Sequence, residues 1–252
     1  MENPLETGTS FIHHLDPRIR VMVAVFLSFA AALARHPLVA AAYLGVGAGL
    51  VILGDISWKH LKVRMKPLVW FLVMIWLCLP LTFTQDIMAT FGWLAVSRAG
   101  LLLAAMISLK SLAIVLMFTS LLATMPMAAL GKALHQLRVP DKLVFLLLMT
   151  YRYIFVIQEE YVRLHRAARF RGFVPGTNLH SYRTYAFLAG MLFVRASLRA
   201  KRVYQAMLCR GFAQKFHTLD LYLPSRWNPL FFGTAIFIGF CLTLMDRIWM
   251  YS

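Results

Sequence analysis

The chain has 252 residues, of which 60% are hydrophobic and only 14% are charged. A soluble domain has about 45–50% apolar and about 25% charged residues, so this composition excludes a disordered chain and a polar nucleic-acid-binding module, and it indicates a protein of the lipid bilayer. Twenty-six Lys and Arg against ten Asp and Glu give a net charge of +16, which in a membrane protein is typical of cytoplasmic loops rich in cations.

Five apolar stretches are predicted to cross the membrane as helices, for which about 20 residues are needed. The first of them borrows a turn at each end to reach that length. No apolar run of a cleavable signal peptide precedes it, so the amino terminus is expected in the cytoplasm. The predicted spans are residues 21–34, 38–53, 68–84, 100–123 and 229–245.

The positive charge is concentrated between the fourth and fifth predicted spans. Residues 125–226 contain sixteen Lys or Arg and only four acidic residues, which predicts a cytoplasmic segment. We therefore expect transmembrane helices at 1–124, cytoplasmic helices at 125–226 and a carboxyl-terminal transmembrane helix at 227–252. Apolar runs at 143–155 and 185–194 leave a further span open as an alternative.

Two features within the predicted spans suggest helix packing. Gly45 and Gly49 form a GxxxG pair, which lets another helix approach closely. Lys110 lies halfway along the fourth span, where a charge costs roughly 2.5–3.5 kcal/mol, so it is expected to snorkel, face the interior or pair. A structural role for Lys110 is favoured slightly over a role in transport.

Helix-breaking residues divide the cytoplasmic segment into three helices. Pro126 can open the first, Pro140 precedes the second, and the segment 172–176 ends the second before a third begins near Ser181. The second and third are predicted to have roughly 30 residues each, or about 45 Å. The sequence thus predicts an all-α polytopic membrane protein with about five transmembrane helices and two long cytoplasmic helices.

The two long helices have similar predicted endings, which both read A-x-x-x-R-G-F. Taken singly, a glycine able to adopt positive φ and a nearby cation are ordinary helix C-termini. Two copies, each with a small residue, an Arg and an exposed Phe, indicate instead two matched binding surfaces for an acidic, grooved partner. The candidate binding residues are Ala168, Arg171, Gly172, Phe173, Ala206, Arg210, Gly211 and Phe212.

Motifs that would indicate an enzyme or an energy-converting site are missing from the sequence. Gly131-Lys132 is followed by Ala133, so it does not form a P-loop. The sequence has neither an H-E-x-x-H motif nor a Cys pair at zinc spacing, and acidic residues for a proton relay are scarce in the spans. We therefore expect a non-catalytic membrane subunit that itself binds no metal or cofactor.

The chain resembles the T component of energy-coupling factor (ECF) transporters, most closely the cobalt-type CbiQ family. The paired Arg-Gly endings are the specific signal, and the resemblance extends over nearly the whole chain. In a second motif, His14-Leu15-Asp16-Pro17-Arg18, Asp16 can cap a helix that begins with Pro17. The other motifs that carry the resemblance are Leu134-His135-Gln136-Leu137-Arg138-Val139-Pro140, Tyr151-Arg152-Tyr153 and Glu159-Glu160.

The resemblance implies a subunit of an ATP-driven importer in a bacterial inner membrane. In that family, two long coupling helices insert Ala-Arg-Gly endings into grooves of two cytoplasmic ABC-type ATPase subunits, which hold ATP and Mg²⁺. Their motion is passed to a substrate-binding membrane subunit, which would hold the cobalt ion. Arg171-Gly172 and Arg210-Gly211 match those endings, whereas Phe170 and Cys209 replace the alanine before each Arg.

Other functions remain open from sequence alone. One alternative is the same subunit in a nickel or vitamin transporter, because a partner subunit recognises the cargo. A membrane enzyme that acts on anionic lipid is another, and a passive scaffold for peripheral proteins is a third. Recovery of an ATPase with the native complex separates the transporter from the other two.

Overall fold

The computed structural model describes residues 15–82, 87–91, 94–212 and 227–251. The chain divides into two compact units, one formed by residues 1–133 and 220–252 and the other by residues 134–219. The described elements are α1 (Pro17–Leu33), α2 (Pro37–Leu53), α3 (Trp58–Thr82), β1 (Ile87–Phe91), β2 (Leu94–Ser97), α4 (Arg98–Leu121), α5 (Met127–Gln136), α6 (Asp141–Phe170), α7 (Leu179–Cys209) and α8 (Trp227–Tyr251).

The predicted all-α membrane architecture is confirmed. Each of the five predicted spans corresponds to a helix: α1, α2, α3, α4 and α8. Among the described helices, α3, α4 and α8 are long and apolar enough to cross a membrane, and α2 is a shorter apolar helix. Neither α6 nor α7 meets that criterion, so the further span that the sequence left open in each is not supported.

The boundaries of some elements differ from the predicted ones. Helix α3 begins at Trp58, ten residues before the predicted span. It therefore includes the cationic segment that precedes the apolar run, and Pro67 lies inside the helix. A short antiparallel hairpin, β1 and β2, connects α3 to α4, with Phe91 opposite Leu94. The sequence analysis does not predict this hairpin. The register shifts between Ile87 and Ala89, so the pairing of the two strands is irregular at that end.

In the first unit, α4 packs against α1, α2 and α3, while α8 packs against α1 and α2. The core contains Val23, Leu27, Tyr43 and Met117, which are fully buried. The hydroxyl of Tyr43 donates a hydrogen bond to the carbonyl of Gly239 at 3.0 Å, so the one polar atom of this core side chain is satisfied between α2 and α8.

Arg20 of α1 is 2% exposed and binds the carboxyl end of α4. Its Nε donates to the carbonyl of Leu121 at 3.0 Å, and its Nη2 donates to the hydroxyl of Thr124. The carbonyls at a helix end lack partners within the helix and carry negative partial charge, so a buried guanidinium is well placed there. The sequence analysis assigned no role to Arg20.

The turn between α1 and α2 is held by α8. The carboxylate of Asp246 accepts hydrogen bonds from the backbone N–H of Arg35 at 3.0 Å and of His36 at 2.9 Å. These donors lie at the amino end of α2, where an anion is favoured.

At the start of α1, Asp16 occupies the predicted cap position and Pro17 lies in the first turn, but the Asp16 side chain makes no capping hydrogen bond. Its backbone N–H donates instead to Asn228 at 3.2 Å.

Lys110 contacts the backbone of a neighbouring helix. Its Nζ donates to the carbonyl of Ala32 at 3.0 Å, near the end of α1. The ammonium group therefore reaches a backbone oxygen at the carboxyl end of the neighbouring helix. This contact links α4 to α1 and places the charge where the helix dipole favours a cation.

Within the described chain, the close approach on α2 is at Gly47 and not at the predicted Gly45 and Gly49 pair. A Cβ on Gly47 would lie 3.1 Å from the carbonyl of Ala113 and 3.2 Å from the Cβ of Leu116, both on α4. Among the described residues, nothing lies within 4 Å of a Cβ at Gly45 or Gly49. Helix α2 is apolar on all sides, so its sequence does not show which face meets α4.

Replacing Gly47 with leucine is expected to destabilise the protein, whereas the same change at Gly45 is not. Gly47→Leu forces α2 away from α4 and lowers the free energy of unfolding by about 1–3 kcal/mol. Gly45→Leu adds a better helix former in open space and leaves stability unchanged or higher by up to about 1 kcal/mol. Thermal unfolding of both variants in the same detergent measures the difference. Equal destabilisation by both would contradict this packing.

Candidate functional site

The second unit is built around α6 and α7, which form an antiparallel pair. Glu160 near the middle of α6 bonds Arg195 near the middle of α7. Phe145 at the start of α6 lies 5.1 Å, centroid to centroid, from Phe212 just beyond the end of α7. At the opposite end, His165 stacks on Tyr185 at 6.3 Å. The helices have 30 and 31 residues, as predicted, and each is about 45 Å long.

Helix α6 ends in a Schellman motif at Gly172. The glycine has φ +84°, and its N–H donates to the carbonyl of Arg169 at 3.0 Å. The N–H of Phe173 reaches back to the carbonyl of Ala168 at 3.1 Å. These two hydrogen bonds satisfy carbonyls that would otherwise lack a partner, and the positive φ is one that glycine adopts without strain.

Helix α7 ends in the same way at Gly211. This glycine has φ +77°, and its N–H donates to the carbonyl of Leu208 at 3.0 Å. The N–H of Phe212 donates to the carbonyl of Met207 at 3.0 Å. The sequence repeat is therefore also a repeat of backbone geometry, including the residues in the αL conformation and the hydrogen bonds that close each end.

Arg171 and Arg210 occupy equivalent positions as the last residues before the glycines. Both are exposed, and their φ and ψ are −89° and 15° for Arg171, and −93° and 11° for Arg210. In the part of the chain that the structure describes, neither guanidinium forms a salt bridge. Since α6 and α7 are antiparallel, the two arginines lie at opposite ends of the pair, about one helix length apart.

The structure corrects the expectation that an exposed Phe follows each glycine. Phe173 is only 9% exposed and packs edge-on against Tyr185 at 5.5 Å. Phe212 is half-buried and packs against Phe145. The exposed aromatic ring at the α6 ending is Phe170, which is 91% exposed. The chain reverses at each glycine, and this reversal directs both rings toward the partner helix of the pair, where Tyr185 and Phe145 contact them.

The two candidate alanines are not structurally equivalent. The carbonyl of Ala168 accepts a hydrogen bond from the N–H of Phe173, and the equivalent carbonyl in α7, which accepts from Phe212, is that of Met207. The residue of α6 that is equivalent to Ala206 is therefore Ala167, one position before the predicted Ala168. Ala206 is exposed and Ala168 is half-buried. The repeat thus places a small residue four positions before each Arg at Ala167 and Ala206.

An aromatic cluster, which the sequence analysis missed, closes the end of the pair near Gly172. His165 stacks on Tyr161 at 5.8 Å and on Tyr185 at 6.3 Å, and Phe173 meets both His165 and His180. The buried Ser181 accepts a hydrogen bond from the N–H of Gly176 at 3.1 Å. These contacts fix the connection between α6 and α7, and with it the position of the first Arg-Gly ending.

Electrostatic pairing joins the middle of the two long helices at Glu160, whose side chain is 12% exposed. Arg195 donates to one oxygen of this carboxylate, while Arg163 and Arg199 lie 3.8 Å and 3.9 Å from the other. The hydrogen bond from Arg195 and the charges of all three arginines hold the pKa of Glu160 below its ordinary value of 4.5, against the opposing effect of burial.

Glu160→Gln is expected to loosen the pairing of α6 and α7 at neutral pH. A depressed carboxyl pKa contributes stability above the pKa of the unfolded chain, and this contribution is lost as the pH falls through the lower folded value. The unfolding temperatures of wild type and variant should therefore differ at pH 7 and converge as the pH falls below 4.5. Glu159→Gln is the matched control, because Glu159 is 71% exposed and its one salt bridge among the described residues is to Arg163. A pH-independent difference would contradict the assignment.

A cavity of about 450 Å³ lies between α6 and α7, and it extends from this ion pair toward the end of the pair that contains Phe145 and Met207. Its lining is mostly apolar and includes Met149, Tyr153, Val203 and Met207. Within the described residues, the structure contains no group of His, Cys, Asp or Glu that could hold a metal ion. The candidate site is the pair of Arg-Gly ends on this braced helical pair, and the charged groups of these ends are suited to an acidic partner.

Comparison with known proteins defines the class of this helical membrane protein. The sequence profile of the family described as CbiQ, cobalt transport protein, matches residues 8–218. The energy-coupling factor transporter transmembrane protein EcfT of Bacillus subtilis is 29% identical over 217 residues, which cover 81% of this chain and 82% of that protein. EcfT of Leuconostoc gelidum subsp. gasicomitatum is 28% identical over 258 residues, covering 97% and 96% of the two chains.

A third relative carries the family's own name. The cobalt transport protein CbiQ of Salmonella typhimurium is 29% identical over 126 residues, or 50% of this chain and 55% of that protein. The relatives are transmembrane subunits of transporters. The chain belongs to the CbiQ family, as a T component of energy-coupling factor transporters.

Proposed function

We propose that this chain is the coupling subunit of an ATP-driven cobalt importer. It joins two cytoplasmic ABC-type ATPase subunits to a substrate-binding membrane subunit. The observation that carries the proposal is the pair of matching Arg-Gly helix ends, each closed by the same hydrogen bonds at Gly172 and Gly211. One ATPase subunit binds each end, because the ends lie about 45 Å apart on an antiparallel pair.

The chemistry of each end suits a groove that contains a carboxylate. Arg171 and Arg210 are exposed, always charged and free of salt bridges within the described chain, so each can form a bidentate pair with a partner. Phe170 adds an exposed aromatic surface beside Arg171, whereas the α7 end has Cys209 at the equivalent position. The two ends should therefore bind equivalent grooves with unequal apolar contact.

Coupling requires that a movement of the two helix ends be transmitted to the rest of the transporter and not be lost in local bending of α6 and α7. The ion pairs of Glu160 and the packing of Phe173 and Phe212 oppose local bending of α6 and α7. The partner ATPases hold ATP and Mg²⁺ and perform hydrolysis, so this chain contributes binding and transmission, not catalysis. Its amino terminus lies in the cytoplasm and the complex lies in the bacterial inner membrane.

The cargo is bound by the substrate-binding subunit, and we assign it as cobalt. The description of the matching family and the name of the Salmonella typhimurium relative support this assignment. The EcfT relatives carry no cargo in their names, so nickel or a vitamin is the alternative to be tested.

Reversing either arginine is expected to abolish uptake. Arg171→Glu or Arg210→Glu places a carboxylate against the acidic groove, and losing one partner of a buried charge pair costs about 2–5 kcal/mol. Uptake of labelled cobalt by cells that produce the complete transporter should fall to background, while the amount of this chain in the membrane stays unchanged. Co-purification of the ATPase subunits should fall with it.

Arg166→Glu is the control for these variants. It makes the same charge change on an exposed residue of α6, one turn before the ending. Uptake and ATPase recovery should be retained in this variant. Normal uptake by both Arg171→Glu and Arg210→Glu, or a native complex without any nucleotide hydrolase, would refute the proposal.

The cargo assignment is tested separately. Cells with the complete transporter should accumulate labelled cobalt in an ATP-dependent way, and excess unlabelled cobalt should compete more strongly than equal nickel. Preferential uptake of nickel, or of a vitamin, would overturn the cobalt assignment while leaving the coupling role intact.

A further inference from the structure

Helix α3 has an exposed face that no described element covers. Two of its buried residues, Leu61 and Leu72, are eleven positions apart, which places them on one side of the helix toward the rest of the unit. The opposite side is exposed from Lys59 to Leu77, before the buried Pro80 near the end of the helix. We call this side the α3 stripe, and its residues are Lys59, Lys62, Lys66, Trp70, Val73 and Leu77.

The first part of the stripe is cationic. Lys59, Lys62 and Lys66 follow the i, i+3, i+7 spacing, so they lie within an arc of about 60° at 100° per residue. All three are exposed, and in the part of the chain that the structure describes none of them forms a salt bridge. Three unneutralised ammonium groups on two turns of helix have the charge that a phosphate group requires of a binding site.

The second part of the stripe is apolar and is exposed without interruption. Trp70 is 80% exposed, and Val73 and Leu77 are 58% and 66% exposed. Trp70 follows Lys66 by one turn, at the point where the stripe changes from charged to apolar. Tryptophan at such a boundary is typical of the interface between headgroups and acyl chains.

The order and length of the two parts match one phospholipid. From Lys66 to Leu77 the helix rises about 16 Å, close to half of the roughly 30 Å hydrocarbon core of a bilayer. We propose that the α3 stripe binds an anionic phospholipid of one leaflet, with its phosphate on Lys59, Lys62 and Lys66 and an acyl chain along Trp70, Val73 and Leu77. The negative headgroup complements the cationic turns, and the acyl chain covers the apolar turns.

A covering protein helix fits the stripe less well. It would have to bring acidic residues against two turns and apolar residues against the next three. It would also leave the ammonium groups paired in a low-dielectric interface, where the cost of removing both charges from water offsets the attraction. An anionic lipid needs no such burial, because its headgroup and the lysines both remain at the water boundary. The inference does not depend on the proposed coupling role.

The test measures lipid binding to the full chain, purified with its associated subunits and stripped of lipid in detergent. The complex is titrated with phosphatidylglycerol or phosphatidylcholine, and bound lipid is counted by native mass spectrometry. Wild type should bind phosphatidylglycerol about tenfold or more tightly than phosphatidylcholine. The triple variant Lys59→Gln, Lys62→Gln, Lys66→Gln should lose this preference and bind both lipids equally.

The control removes the same charge elsewhere. Arg152→Gln, Arg166→Gln, Lys201→Gln takes three cations from exposed positions of α6 and α7 and should retain the preference. Loss of the preference by the control as well would show that net charge alone acts, and would overturn the site. Retention by the triple variant would overturn it too.

Two further measurements test the α3 stripe if the triple variant does not fold. The single variant Lys62→Gln should show a smaller loss of preference, of about fivefold. A photo-reactive side chain in place of Trp70 should cross-link to phospholipid in membranes of phosphatidylcholine and phosphatidylglycerol at 3:1. An unchanged preference in Lys62→Gln, or cross-linking of position 70 to a protein subunit in place of lipid, would refute the proposal.

Discussion

The positive φ of two glycines determines the geometry of the candidate site. At Gly172 and Gly211 the backbone reverses, and the N–H groups of the following residues turn back to the last carbonyls of α6 and α7. A residue with a Cβ is strained in this conformation, so the helix would tend to continue past the arginine. Because it does not continue, Arg171 and Arg210 are the C-cap residues of their helices and are exposed at the very ends.

In the proposed coupling role, the arginines transmit force only if the two ends are held at a fixed separation. Glu160 joins the middle of the helices, and aromatic contacts close each end: Phe173 near the first glycine and Phe212 near the second. The repeated Arg-Gly-Phe sequence thus has two structural roles in addition to its charge. Glycine ends the helix, and phenylalanine anchors that end on the partner helix of the same pair.

The sequence predicted what depends on local pattern. Proline and glycine breakers located α6 and α7, and the Arg-Gly repeat located both endings, because turn chemistry acts within a few residues. It failed where the outcome depends on which surface of an element meets another. The rings after the glycines were expected to be exposed and are packed inward, and the close contact of α2 is at Gly47. A helix that is apolar all round, such as α2, has no periodicity that indicates its packed face.

Charge placement in the first unit follows one rule, and the way the second unit departs from it explains why the two arginines are available. Arg20 and Lys110 bind carbonyls at the carboxyl ends of neighbouring helices, and Asp246 accepts from N–H groups at an amino end. Helix ends carry unsatisfied groups and partial charge, so they stabilise charged side chains in a bundle that has few acidic residues. At Gly172 and Gly211 the backbone satisfies the end carbonyls itself through the Schellman hydrogen bonds. The guanidinium groups of Arg171 and Arg210 are consequently not needed to cap their own helices, and they can bind a carboxylate of another subunit.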